Sequence, residues 1–482
     1  MSHASLRIGE AAFAERWSPK VSLLFCGAGL FFLAVFAWRF ADQRLYADSG
    51  YYLARVINEG NFHIEHGRWV LALSQIVPLI GVKLGLSMKT LIVLHSLNDV
   101  VFLGLCMWFA LRTLRNVHAA VALMAVHLIG LTHGLFCPIF ELYYGVDLLI
   151  LFSAVLTSTR LAPRARWVLL VLLLVGAISS HFMALLLAVG VLLLGGHWRD
   201  RRLMLVLGGA TIAFLALRLA TLSYYESQQL GFVQRLAFPS QVKPLFSIDF
   251  LRTQVMRAWQ HYPDVLLLVA VNSFALGRSR QRRILALFWL GLLAIHVLTG
   301  LYMPWPTHDR YREQVDFAAP VWAVFIAVYR VLPLIQWRLP VLALLMLCAG
   351  YRMVQAEWIA PYYEARTRWQ EAWITGARNA GEHKIIVDPA GATFGPPGHK
   401  VSVYWSTGVE CLLLSAKDGP DATVSVITTD DLECAGVPEN LDKFVFRCWD
   451  VLDNHYLDAR FFRLPSGRYV PLRTAPAPSA AR

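Results

Sequence analysis

The chain has 482 residues, of which 57% are hydrophobic and 16% charged, and its mean hydropathy is +0.50. A soluble protein of this length has no interior large enough to hide that much apolar surface, so a water-soluble globular fold is excluded and a bilayer is required. The net charge of +12 does not read as a nucleic-acid footprint, because the basic residues fall in short clusters between apolar runs, where they set membrane orientation.

The apolar runs are roughly 15 to 25 residues long, each enough to cross ~30 Å of hydrocarbon as a helix. They predict an all-α polytopic membrane domain of about eleven transmembrane helices over 21–358, preceded by a cytoplasmic segment, 1–20. The first run ends in Trp38-Arg39-Phe40 rather than a small-residue cleavage site and reads as a permanent helix. An outer loop with surface helices follows over 42–88, in which Trp69 to Leu86, carrying Pro78 and Lys83, skims the membrane instead of spanning it. With the N-terminus inside, the clusters Arg112/Arg115, Arg160/Arg164/Arg166, Arg199/Arg201/Arg202, Arg278 to Arg283 and Arg338 all fall on the cytoplasmic side. A tight pair, Trp167 to Ser180 and Phe182 to Gly195, reverses outside at His181; helix nine emerges at Pro304-Trp305-Pro306; helix eleven leaves for the outside. This threading places the protein in a bacterial inner membrane with its C-terminal part in the periplasm.

That part, 359–473, reads as a small α/β periplasmic domain: a helix from Glu364 to Asn379, then strand-like runs Lys384 to Val387, Val401 to Tyr404, Thr423 to Thr429 and Lys443 to Cys448. The last residues, 474–482, alternate Ala and Pro and read as a disordered tail. Cys411, Cys434 and Cys448 are the disulfide candidates, and the sequence does not choose among them.

Four outer places carry ionisable groups beside apolar stretches. In Tyr46-Ala-Asp48-Ser-Gly-Tyr51-Tyr52, Asp48 is either the cap of a following helix or a base that accepts a proton from an attacking hydroxyl. In Glu141-Leu-Tyr143-Tyr144-Gly-Val-Asp147, two carboxylates open an apolar helix, and Asp147 is a cap-region or a site residue. His181 is a polar turn residue or, as a cation, a phosphate ligand. In Thr307-His308-Asp309-Arg310-Tyr311-Arg312-Glu313, the charges pair locally or offer a guanidinium fork to phosphate. His63, Glu65 and His66 are metal-capable side chains without a fourth ligand; no metal residue is assigned, and a divalent cation as cofactor is left open.

The order and sidedness of these places resembles the GT-C superfamily of membrane glycosyltransferases, in the branch holding protein O-mannosyltransferases and the lipid A aminoarabinose transferase, over about residues 20 to 350. Asp48 with Tyr51 or Tyr52 is similar to that branch's acidic residue and tyrosine-bearing surface helix, and Asp147-Leu-Leu-Ile-Leu-Phe to its second acidic helix start. Gly176 to Ala184 around His181 resembles its glycine-rich helix pair with histidine where lysine is usual, and Arg310-Tyr311 its basic-tyrosine pair before helix ten. The chain departs from the pattern in having a lone Asp48 followed by Ser49, and His66-Gly-Arg68-Trp69 where the branch has twin prolines. The resemblance implies transfer of a sugar from a polyprenyl-phosphate donor to a lipid, glycan or protein acceptor, with membrane lipids but no nucleic acid as partners. Asp48 and Asp147 would then be catalytic, and Tyr51, Tyr52, Arg68, Glu141, His181, Arg310 and Tyr311 would bind substrate, with Arg55 in reserve for the phosphate. Two other readings remain: a lipid or solute transporter or flippase using Asp99, His127, Arg218 and His296, and a non-catalytic scaffold on the same fold.

Overall fold

The computed structural model describes residues 3–223, 227, 231, 238–303, 310–390, 392–396, 399–402 and 405–472. The expected elements at 304–309, 403–404 and 474–482 lie outside the described residues. The molecule is mostly helical, with a small strand-bearing region at the C-terminal end.

The segments read as spans all fall on helices, but they differ in length. Among the described residues six helices are long and apolar enough to cross a membrane: Ser18–Arg39, Met88–Thr113, Arg201–Ala220, Arg282–Tyr302, Tyr311–Val331 and Ile335–Asn379. The others are cut short by local chemistry. Helix α5 (Val117–Leu128), following α1 (His3–Arg39), α2 (Asp48–Glu59), α3 (Ile76–Lys83) and α4 (Met88–Trp108), has 12 residues and stops before Gly130, whose φ of 81° turns the chain. A Cβ at Gly130 would stand 2.6 Å from Pro320, so this close approach needs glycine. Helices α6 (Glu141–Thr157), α7 (Pro163–Ile178) and α8 (Phe182–Gly195) have 17, 16 and 14 residues, with Pro163 starting α7 and His181 capping α8.

Helix α9 (Arg201–Ala220) is capped by Asp200, and α10 (Ile248–His261) by Ser247, each through a side-chain oxygen accepting a backbone N–H. Then follow α11 (Pro263–Arg278), α12 (Arg282–Tyr302), α13 (Arg310–Asp316) and α14 (Ala318–Ile326). The core sits where α1 packs on α4, α5 and α15 (Arg338–Asn379), and where α6 packs on α7. The helix expected at Glu364 to Asn379 is not separate: it is the end of the 42-residue α15, which carries the chain from the bundle into the C-terminal region without a joint.

In that region β1 (Lys384–Val387) lies between β4 (Ser425–Thr428) and β7 (Val470–Pro471) in a parallel sheet. Strands β2 (Thr393–Phe394) and β3 (Val401–Ser402) pair antiparallel, as do β5 (Lys443–Arg447) and β6 (Asp450–Asp453). Helix α16 (Thr407–Ser415) is buried between the sheet and α2 and α15. Cys448 is disulfide-bonded while Cys411 is a free, buried thiol, so Cys411 leaves the set of disulfide candidates. The C-terminal region docks on the bundle through His399, whose ring lies 5.5 Å from that of His133 and 5.2 Å from that of His261.

Candidate functional site

The turn that presents Asp48 is fixed from two sides. From the bundle, Arg44 donates to Asp99 Oδ2 at 2.6 Å and to the Ser96 carbonyl at 2.6 Å, and Ser49 Oγ meets His95 Nε2 at 2.9 Å. From the C-terminal region, Glu410 Oε1 accepts the Ala47 N–H at 2.9 Å. Glu410 is itself held by Arg366, by Gln370 at 2.9 Å and by Ser406 at 2.6 Å. Between these anchors Ala47 adopts φ 58° and ψ −125°, a conformation natural to glycine and costing an L-residue about 1–3 kcal/mol. Ala47 takes the N-cap position, where it offers no side-chain acceptor, so Asp48 does not cap α2 but stands in its first turn, where the helix dipole favours a carboxylate.

Helix α2 is amphipathic, with Tyr51, Tyr52, Val56 and Ile57 buried, and Gly60 in the left-handed region ends it. The chain then makes a second left-handed turn at His66 (φ 54°) and Gly67 (φ 55°), where the Arg218 guanidinium donates to the His66 carbonyl. This turn sends Arg68 back toward the start of α6. There Arg68 Nη1 donates to Glu141 Oε1 at 2.5 Å, and Gln314 of α13 donates to Glu141 Oε2 at 3.0 Å. Tyr52 feels Glu141, Glu65, Arg68 and Asp48 together: burial first, then the carboxylates, push its pKa well above the usual tyrosine value. One polar cluster thus gathers Asp48, Tyr52, Glu65, Arg68, Glu141 and Gln314 from α2, the loop behind it, α6 and α13.

Glu65 is the hub beside it. It accepts from the Tyr51 hydroxyl and from Tyr52 OH at 3.4 Å, and pairs with His63 at 3.4 Å. Burial works against its charge, but the bonds from His63 and Tyr51 and the nearby Arg447 overcome that and hold its pKa down at about 2. His63 Nδ1 meets Glu59 at 2.9 Å and Nε2 meets Tyr51 and Glu65, so both its ring nitrogens are engaged by protein groups. Among the described residues no group of three or more His, Cys, Asp or Glu side chains is arranged to hold a metal. Arg55 bonds Asp450 at 2.5 Å, Tyr456 at 2.9 Å and the Tyr51 hydroxyl at 3.1 Å, tying α2 to the β5–β6 hairpin and the turn after it.

His181 caps α8, its Nδ1 accepting the Met183 N–H at 3.2 Å. Burial and the Arg68 guanidinium hold its pKa far below the usual histidine value, so the ring is neutral and its other nitrogen carries the proton. That differs from the expectation of a cationic phosphate ligand: Arg68 already supplies the local positive charge. Asp147 is not in this cluster; it is buried in α6 with both carboxylate oxygens on His127 Nε2, at 2.9 and 3.0 Å. Arg310 opens α13 with its side chain outside the described residues, and Tyr311 is half-buried beside it. Thr307, His308 and Asp309 lie outside the described residues. Of the transport candidates, Asp99 pairs with Arg44, His127 with Asp147, Arg218 with the His66 carbonyl, and His296 with the Leu245 carbonyl at 3.2 Å.

Sequence reasoning passed over Gln314, Glu410 and Arg447, and weighed Glu65 only as a metal ligand. Glu65 carried a readable signal, an acidic residue between two histidines just past the tyrosine helix. Gln314 and Glu410 carried none, since their partners lie 173 and 363 positions away. No family model, no curated protein and no solved structure matches this chain.

Proposed function

We propose that the protein is a glycosyltransferase that moves a sugar from a polyprenyl-phosphate donor to an acceptor hydroxyl, working at the end of the helical bundle that carries the C-terminal domain. On this reading the chain is an eleven-span protein of a bacterial inner membrane, and that end faces the periplasm. The observation that carries the proposal is that Tyr52 lies within the fields both of Asp48, in a first turn fixed from the bundle and from the C-terminal region, and of the Arg68–Glu141 pair at the start of an apolar helix, which Gln314 braces. A carboxylate and an oriented guanidinium, set beside apolar helices, are the two tools this reaction needs at the boundary where an isoprenoid carrier ends in its phosphate.

In the reaction Asp48 takes the proton of the acceptor hydroxyl as its oxygen bonds to the anomeric carbon of the sugar. The bond from that carbon to the phosphate oxygen breaks, and the electron pair leaves with the lipid phosphate. Arg68 meets the charge that grows on the phosphate, Glu141 and Gln314 hold Arg68 in place, and the protonated nitrogen of neutral His181 donates to a phosphate oxygen. Tyr52 lines the acceptor side, and Tyr51, tied to Glu65, holds the loop that bears Arg68. Arg310 and Tyr311 contact the donor from α13. Asp147, closed on His127, takes no part in the step.

The test is sugar transfer in proteoliposomes from a panel of polyprenyl-phosphate sugars, comparing the intact protein with Asp48→Asn and Arg68→Gln at matched folding. Transfer should fall by about 10² or more in the first, as for loss of a general base. Equal transfer by intact and Asp48→Asn protein removes Asp48 from the chemistry, and no transfer from any donor removes the enzyme reading.

A further inference from the structure

On the other face of α13 from Gln314, α10, α11, α12 and α14 enclose a groove of about 280 Å³. Its walls toward the middle of the bundle are apolar, with Val265, Val269, Trp289 and Ile295 among them. Its other end is polar, lined by Gln254, Arg257, Thr299, Arg312 and Asp316. Trp289 and Thr299 stand on α12 about 15 Å apart along the helix axis, so the groove runs lengthwise down a candidate span.

The polar end holds donors that the protein does not use. Among the described residues Gln254 Nε2, Arg257 Nε and Thr299 Oγ1 are buried without a hydrogen-bond partner, and Gln254 and Thr299 are only 9% and 4% exposed. Gln254 Oε1 is turned toward the two guanidiniums, 2.5 Å from Arg257 Nη2 and 3.3 Å from Arg312 Nη2, which leaves its NH2 facing elsewhere. Buried donors in native proteins find acceptors, so three unsatisfied ones lining a single groove ask for an acceptor-rich group. Arg257 and Arg312 bring two guanidinium groups to this end, both pairing with Asp316. On α10, which forms the rim, Ile248, Val255 and Trp259 are exposed, as on a helix lying at a membrane surface.

We infer that this groove binds an anionic glycerophospholipid, with one acyl chain along Val265, Val269 and Trp289 and its phosphodiester at Gln254, Arg257 and Thr299. A phosphodiester is an anionic acceptor, which suits an end where the unsatisfied donors include the Nε of a guanidinium. A bilayer is the source, because the groove runs along a candidate span and two of its apolar lining residues, Leu266 and Trp289, are exposed. The site is separate from the sugar-transfer cluster, and its test uses no sugar.

Purified full-length protein, delipidated in detergent, is titrated with phosphatidylglycerol, phosphatidylcholine or a polyprenyl monophosphate, and bound lipid is counted by native mass spectrometry. One phosphatidylglycerol per chain should be retained about tenfold more tightly than phosphatidylcholine. Gln254→Leu with Thr299→Val should weaken that retention about tenfold or more, because two donors to a charged acceptor are lost. Thr299→Val removes only an unsatisfied buried polar atom, whereas Gln254→Leu also takes the Oε1 acceptor from Arg257 and Arg312, so helical circular dichroism checks the fold and Thr299→Val alone serves if the pair disturbs it. Equal retention of the two phospholipids, or undiminished retention by the variant, overturns the inference. Retention of the polyprenyl phosphate alone overturns the phosphodiester assignment.

Discussion

Asp48 and Asp147 are both lone aspartates at the beginnings of helices, and the molecule treats them in opposite ways. Asp48 is half-buried in the first turn of α2, on a turn that two distant elements hold in a costly backbone conformation. Asp147 lies two turns into α6, buried, with its carboxylate closed on His127. One carboxylate is positioned at a junction of many groups; the other is matched to a single partner and shut away. Acidic residues at helix starts are therefore not equivalent evidence of chemistry: what separates them is whether the structure spends free energy aiming them or neutralising them.

That contrast is broken most directly by substituting each in turn. Asp48→Asn should lower sugar transfer about 10² while costing about 1 kcal/mol or less in unfolding, since a half-buried amide replaces a carboxylate that the helix dipole favours. Asp147→Ala should do the reverse, costing about 3 kcal/mol by leaving a buried imidazole without its partner, with transfer per folded molecule unchanged. Paired assays of transfer and detergent unfolding separate the two; equal effects on both quantities would erase the distinction.

Next in size is Glu410→Ala, which removes the acceptor of the Ala47 N–H and strips Arg366 of its buried partner. Breaking a buried pair from one side costs about 3–5 kcal/mol. Because Glu410 also anchors the Asp48 turn, transfer per folded molecule should fall about tenfold through kcat rather than KM. A loss of stability with kcat intact would mean that the bundle-side contacts of Arg44 and Ser49 alone aim Asp48.

Much of this could be read along the chain, and the rest could not for a definite reason. Apolar runs and short β-branched runs are local, so the helices of the bundle and strand Lys384–Val387 fall where the pattern puts them. The segment after Asp48 announces its amphipathic helix through Tyr52, Val56 and Gly60. Run length alone does not say where a helix ends inside a protein, and turns such as Ile129-Gly130 cut apolar stretches below spanning length. The continuity of α15 was hidden by the change from apolar to charged residues near Glu357 and by Pro361, which together resemble a boundary. The site itself is assembled by contacts between Arg68 and Glu141, Gln314 and Glu141, and Ala47 and Glu410, all across long separations that no local pattern records.

A pH profile sharpens the picture on the α2 side. The pKa of His63 is raised above 6.5: burial lowers it, but hydrogen bonds to Glu65 and Glu59 and their charges win. Its stabilising contribution is therefore full below 6.5 and is lost as pH rises through the raised folded value. Glu65, held at about 2 against an ordinary 4.5, contributes above 4.5 and loses its share as pH falls from there toward 2. The loop 60–68 should be best protected in hydrogen exchange, after correction for intrinsic rates, between these limits. His63→Gln should abolish the alkaline limb and move the acid limb to higher pH, because the bond and charge of His63 help hold the Glu65 pKa down.

The smallest effect tests the strain at Ala47 against an ordinary alanine of the same helix. Ala54 is buried in the interior of α2, as Ala47 is at its start, and both are 0% exposed. Ala54→Gly loses a buried methyl group, about 0.8 kcal/mol, and adds the flexibility penalty of glycine in a helix, about 0.5–1 kcal/mol. Ala47→Gly loses a similar methyl but recovers the cost of a positive φ, about 1–3 kcal/mol, so its net effect should lie near zero. The difference between the two substitutions, measured by unfolding under one set of conditions, is the strain, expected at about 1 kcal/mol or more. If Ala47→Gly also lowers transfer a few-fold while stability holds, the strained turn is what keeps the Asp48 carboxylate aimed, and relaxing it lets the base drift. If the two glycine variants cost the same, the backbone at Ala47 stores nothing, and the contacts of Glu410 and Arg44 carry the whole positioning.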